Sequence, residues 1–181
     1  MPEQSSDVIH KATFAGGCFW CMQPSFDNAE GVIDATVGYT GGTAETASYA
    51  QITSKTTKHV EAIQIVYDPG VISYAELLDI YWQNIDPTDS GGQFADRGAS
   101  YRPVVFYEGE GQKAVAEKSK ASLDYSGKFA GSIAVAIEPA QPFYAAEEYH
   151  QDYYKKNEAH YKKYKLSSGR QPFLEKIWGK K

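Results

Sequence analysis

The chain is poor in cysteine, methionine and histidine, with 2, 2 and 4 copies among 181 residues. Two cysteines cannot build a disulfide framework, so stability must come from a hydrophobic core. A zinc site on Cys18 and Cys21 would need two more ligands, and His10, His59, His150 and His160 show no finger-like spacing. No stretch approaches ~18 uninterrupted apolar residues, which excludes a spanning helix. Positive charge is also short. A formal net charge of −5 argues against a general nucleic-acid binder. The polar start, Met1-Pro2-Glu3-Gln4-Ser5-Ser6-Asp7, lacks the basic and apolar parts of a secretory signal. Residues 1–9 are expected to form a loose tail, and the cytoplasm is the expected compartment. What is present is core material: 42% hydrophobic and 14% aromatic residues exclude a disordered chain.

No long linker or repeat divides the sequence, so residues 1–181 read as one domain. Strands are predicted over residues 11–15, 32–39, 60–67, 104–107 and 133–137 from their apolar runs and flanking turn residues. Helices are predicted over residues 18–29, 73–82, 111–125, 145–163 and 173–178. Pro24 lies inside the first helix, so either its first turn is irregular or the regular helix begins later than Cys18. Ser73 followed by Glu76 is a capping-box signature. This order gives an α+β fold: helices packed on a mostly antiparallel sheet.

The chemically informative stretch is Gly16-Gly17-Cys18-Phe19-Trp20-Cys21. Two glycines between strand and helix permit a tight turn and leave the sulfur reachable. A helix start supplies free N–H groups and partial positive charge, which favour a thiolate. A three-residue offset puts the two Cα atoms roughly 5–6 Å apart, within disulfide range. Cys21 could therefore attack Cys18 after oxidation. Two inert buried cysteines are the plain alternative.

Further along stand Gly38-Tyr39-Thr40-Gly41-Gly42, Ser48-Tyr49, His59-Val60-Glu61-Ala62, Tyr67-Asp68-Pro69, Asp96-Arg97-Gly98-Ala99-Ser100-Tyr101-Arg102 and Glu148-Tyr149-His150-Gln151-Asp152-Tyr153. Together with Gly17-Cys18-Phe19-Trp20, and in this order, they make the chain resemble the A-type peptide methionine sulfoxide reductases. The likeness runs from about Thr13 to Tyr154.

The resemblance implies a two-layer ferredoxin-like sandwich with an irregular C-terminal extension. It implies that Cys18 attacks the sulfur of a methionine S-sulfoxide, free or in proteins, while Phe19 and Trp20 hold the methyl group. Glu61 becomes the proton donor, which burial would favour by keeping its carboxyl neutral. Tyr49 and Tyr101 become donors to the sulfoxide oxygen. Asp96 and Tyr153 become substrate-binding residues. No bound cofactor or metal is implied, because electrons come from thioredoxin or another dithiol. The expected partners are thus oxidised methionine and thioredoxin, and the expected state is a monomer without nucleic acid or membrane.

The sequence departs from the family's commonest pattern twice. Gln23 replaces a common Glu and removes a negative charge near Cys18, with activity expected to survive. Many members also carry resolving cysteines in a C-terminal tail, and this chain has none beyond Cys21. Cys21 is then the internal candidate to resolve oxidised Cys18, as in a subgroup with two cysteines in this motif. The alternative reading is a thioredoxin-like thiol–disulfide oxidoreductase using the same C-x-x-C. It leaves Glu61 and the glycine-rich and Asp96–Arg102 stretches unexplained.

Overall fold

The computed structural model describes residues 8–180. The expected tail over residues 1–9 falls mostly on residues 1–7, which lie outside the described residues. Strand β1 (His10–Ala15) leads into helix α1 (Phe19–Asp27), followed by β2 (Val32–Thr40), α2 (Tyr49–Thr53) and β3 (Val60–Tyr67). Helix α3 (Tyr74–Trp82) comes next, then β4 (Gly92–Gln93), β5 (Asp96–Arg97), β6 (Val104–Tyr107) and α4 (Gly109–Tyr125). The chain closes with β7 (Ala136–Pro139), β8 (Phe143–Ala145), α5 (Tyr153–Lys156), α6 (Glu158–Ser167) and α7 (Arg170–Trp178).

The main sheet has the order β7-β6-β1-β3-β2-β8. All its pairings are antiparallel except that between β6 and β7. The inner four strands with α1 and α3 reproduce a split βαβ sandwich, as the sequence order implied. β3 is central and nearly continuous in apolar residues, as a strand covered on both faces should be. Alternation along it puts Glu61 on the same face as Ile63 and Ile65, which belong to the main core beneath the helices. Ala62 and Val60 face a second, smaller cluster with Ala15, Val104 and Phe106. Among the described residues, no helix is long and apolar enough to cross a membrane.

Local signals near the N-terminal half hold well. α1 starts one residue after Cys18 and tolerates Pro24 in its interior. Ser73 and Glu76 form the reciprocal capping box of α3, with Ser73 N–H donating to Glu76 at 2.8 Å.

The predicted strand over residues 133–137 lies later, at Ala136–Pro139, where the chain can pair with β6. The single helix predicted over residues 145–163 is a correction. There the chain forms the end of β8, a short turn, then α5 and α6. Tertiary partners override helical pattern at that point. The Gln151 carboxamide accepts from Val37 N–H at 3.0 Å and donates to Val37 O at 2.9 Å, imitating a strand against the edge of β2. Asp152 follows in the left-handed region at φ 54°, which breaks the helix.

Candidate active site

Three elements meet where β1 passes into α1. Gly16 has no room for a side chain: a Cβ would lie 2.7 Å from Met22 Sδ and 2.8 Å from Ile85 Cγ2. Gly17 adopts φ +78°, and a Cβ there would lie 2.5 Å from Gln93 Cβ. The carbonyls leading into this turn are held from outside. Tyr81 donates to Ala15 O at 2.7 Å, and Arg170 donates to Gly16 O at 3.0 Å. Cys18 then occupies the N-cap position of α1.

Above it lies a cavity of about 120 Å³ lined by Cys18, Phe19, Trp20, Tyr49, Glu61, Asp96, Tyr101 and Tyr164. Of the candidate catalytic and substrate-binding residues, Cys21 and Tyr153 are the two that do not line it. Cys21 is buried behind Cys18, in a cluster with Tyr161. Tyr153 stacks on Trp20 with ring centroids 3.8 Å apart, and its hydroxyl meets His160 Nδ1 at 2.7 Å. A larger cleft of about 310 Å³, lined in part by Ser25, Lys162 and Trp178, contains neither the thiols nor Glu61.

The electrostatics of the small cavity favour neutral donors. Burial raises the Glu61 carboxyl to about 8, although the Phe19 N–H that donates to it at 3.1 Å pulls the other way. Burial, then the neighbouring Glu61, raises both Tyr49 and Tyr101, which stay hydroxyl donors. Asp96 is also raised by burial and accepts a hydrogen bond from Tyr164. The two thiols titrate as a unit. A hydrogen bond from Cys18 lowers the Cys21 thiol to about 7, whereas burial, then the hydrogen bond and charge of Cys21, raises Cys18 well above the ordinary thiol range. The helix start therefore does not by itself make Cys18 the thiolate, as the sequence suggested.

The walls are positioned by residues whose contacts the sequence left blank. Trp20 Nε1–H donates to His150 Nδ1 at 3.0 Å, and burial lowers the basicity of His150, keeping it neutral. Glu147 accepts from the Tyr39 hydroxyl at 3.0 Å and from Tyr49 N–H at 3.2 Å, which anchors the start of α2. His59 accepts from Gly42 N–H at 3.1 Å and meets Thr43 O at 2.8 Å, pinning the glycine turn after β2. Gln23 lies outside the cavity lining. Its carboxamide donates to Ala35 O and accepts from Asp152 N–H, both at 2.9 Å, and so ties α1 to β2 and to the start of α5.

Tyr164 and Arg170 escaped sequence reasoning. Tyr164 is one of the chain's 14 tyrosines and lies in a lysine-rich segment, and Arg170 sits in a polar stretch near the C-terminus. Neither had a local signal. Among the described residues, no group of three or more His, Cys, Asp or Glu side chains is placed to hold a metal ion.

One thiol at a helix start, a neutral carboxyl and two tyrosine hydroxyls around one small cavity, with a second thiol behind the first, suit attack on a polarised S=O bond. Known proteins resemble the chain along its length. The family model described as peptide methionine sulfoxide reductase matches residues 10–181. The peptide methionine sulfoxide reductase MsrA of Listeria monocytogenes is 53% identical over 96% of this chain and 98% of its own length. The reduced form of Mxr1 from Saccharomyces cerevisiae superposes with TM-score 0.77 at 33% identity, covering 83% of this chain and 86% of that one. Mxr1 in complex with Trx2 matches with TM-score 0.57 at 25% identity, covering 84% and 89%. Likeness along the whole chain, beyond the C-x-x-C itself, is what a thioredoxin-like reading leaves unexplained. By this match and by the thiol–carboxyl cavity that accompanies it, the chain belongs to the peptide methionine sulfoxide reductase family.

Proposed function

We propose that this chain reduces methionine S-sulfoxide through Cys18, with Glu61 as the proton donor. The observation that carries the reading is a buried carboxyl, neutral at physiological pH, in the same small cavity as the thiol. Moving the proton shared by the thiols onto Cys21 leaves Cys18 as the thiolate. Neutral Glu61 helps twice, because it keeps its proton for transfer and places no negative charge beside that thiolate. Cys18 sulfur attacks the sulfoxide sulfur while Glu61, Tyr49 and Tyr101 donate to the oxygen. The net result is oxygen transfer: the substrate sulfur gains two electrons and leaves as methionine, and Cys18 becomes a sulfenic acid.

Phe19 and Trp20 supply the apolar wall for the methyl group, opposite the oxygen donors, and this asymmetry selects the S epimer. Asp96, held by Tyr164, orients the substrate end of the cavity, and Tyr153 acts through its stacking on Trp20. Cys21 then attacks the sulfenic sulfur, water leaves, and a Cys18–Cys21 disulfide forms. A dithiol such as thioredoxin reduces it by exchange; the Mxr1–Trx2 complex of a related fold supports that partner. No metal or prosthetic group enters these steps. The continuous core over one sheet supports a single domain, and a monomer acting in the cytoplasm on oxidised proteins completes the reading.

One turnover without reductant tests it. Reduced protein with excess sulfoxide of each epimer should yield about one methionine per chain from the S epimer, with a mass loss of about 2 Da at a Cys18–Cys21 link. No methionine from either epimer would overturn the reading.

A further inference from the structure

Arg170 is among the largest fully buried side chains of the protein, with 1% of its surface exposed. A buried guanidinium is costly unless every donor is used and the charge has a task. It opens α7, directly after Gly169 in the left-handed conformation, and reaches back under the start of α1. Its hydrogen bonds go to the carbonyl oxygens of Gly16 and Asn84, and its guanidinium lies 4.8 Å from the Phe94 ring centroid. Among the described residues it has no carboxylate at salt-bridge distance. Carbonyl dipoles orient the charge without neutralising it. The side chain also accounts for Gly17, where a Cβ would sit 2.9 Å from a guanidinium nitrogen.

We propose that Arg170 is the positioning residue of the thiol pair: it clamps the Gly16 carbonyl at the strand–helix turn and holds a fixed positive charge for the thiolate of Cys21. This rests on Cys21 as the resolving thiol. The charge favours the anion at Cys21, together with Lys165 of α6, while the carboxyls of Glu61 and Asp96 disfavour the anion at Cys18. The other ionisable groups around Cys21 are Cys18 at the N-cap of α1, Asp96 on β5, Glu61 on β3 and Tyr161 on α6. Burial keeps Glu61 and Tyr161 neutral at pH 7, so Arg170 and Lys165 favour the Cys21 anion while Asp96 opposes it. A residue from the last helix thereby supports the recycling step.

The test separates charge from shape. In a Cys18→Ser background, Cys21 is the sole thiol and the serine hydroxyl replaces the donor to it. Thiolate absorbance then reports its ionisation alone. Arg170→Gln should raise the midpoint by about one pH unit, and Arg170→Lys by clearly less. With both cysteines present, the pH profile of disulfide formation after one turnover should shift upward by the same amount in Arg170→Gln. The methionine burst should keep its amplitude. Should Arg170→Gln fail to fold, Arg170→citrulline, introduced by ligating a synthetic C-terminal peptide, keeps the donors and removes the charge; it should shift the midpoint like Gln.

An unmoved Cys21 midpoint in the folded neutral variant overturns the proposal. So does a Lys variant shifted as far as the neutral one. The ionisation measurement involves no disulfide, so it stays distinct from failure of the resolving role, which would show as methionine release from the unaltered protein without mass loss.

Discussion

The backbone N–H of Phe19 donates to Oε2 of Glu61 at 3.1 Å across 42 residues of sequence. This bond ties the first residue of α1 to the central strand, and it places a buried carboxyl beside the thiol that the same helix start carries. Because Glu61 keeps its proton up to about 8, the bond joins a backbone donor to a neutral acid at physiological pH.

Glu61→Gln should lower kcat by about 10²-fold or more and change KM only a few-fold, since a general acid acts in the transition state. For the unaltered protein, the rate of methionine release should fall as pH rises through about 8, where Glu61 loses its proton. A variant whose defect lies wholly in KM would remove Glu61 from the chemical step. Stability carries a second signature. Between the unfolded value near ~4.3 and about 8 the folded state binds the extra proton, so Glu61 costs stability progressively as pH rises through that window. Denaturant titrations of Glu61→Gln should lack that slope.

Cys21→Ala should release about one methionine per chain at an unchanged amplitude and then stall with thioredoxin as reductant. Steady-state turnover with thioredoxin should drop by at least about tenfold, whereas a small thiol in excess should restore part of it. Unimpaired cycling with thioredoxin would exclude Cys21 as the resolving thiol.

Gln23→Glu should keep activity and change stability with pH. A neutral Glu can still donate to Ala35 O, but a carboxylate would face that carbonyl with no donor to offer. Urea unfolding near pH 5 should resemble the parent, while a loss of about 1–3 kcal/mol should develop toward pH 8. Equal stability of the two proteins across the range would show that the carboxamide clamp is dispensable.

His150 should couple Trp20 to acid pH. Its folded basicity is lowered by burial, so stability is lost as pH falls below the unfolded value near ~6.5 toward the folded one. A protonated His150 cannot accept from Trp20 Nε1. KM should therefore rise at acid pH together with a change in tryptophan fluorescence, and His150→Ala should show the raised KM at all pH values. A pH-independent KM in the parent would detach Trp20 from this hydrogen bond.

Legibility in the sequence followed locality. The apolar run of β3, the Ser73–Glu76 capping box and the Gly16-Gly17 break are set by neighbours within a few residues, and each was readable. Tyr49 and Asp96 could be singled out through the family's motifs, yet α2 and the β4–β5 hairpin that carry them are too short to leave a periodic trace. The segment over residues 145–163 misled for the opposite reason. Its spacing suits a helix, but Gln151 finds better partners on the edge of β2 than the helix would offer.

The sequence alone determined the sandwich, the C-x-x-C at a strand–helix junction and the family, because these depend on periodicity, turn residues and ordered motifs. Only the tertiary structure decided which side chains share the cavity and in what state of ionisation. Desolvation of Glu61, the wall contributed by Tyr164 and the charge of Arg170 beneath the thiols all arise from contacts between residues far apart in the chain. Burial and long-range fields have no local pattern, so they exist for the molecule only after it has folded.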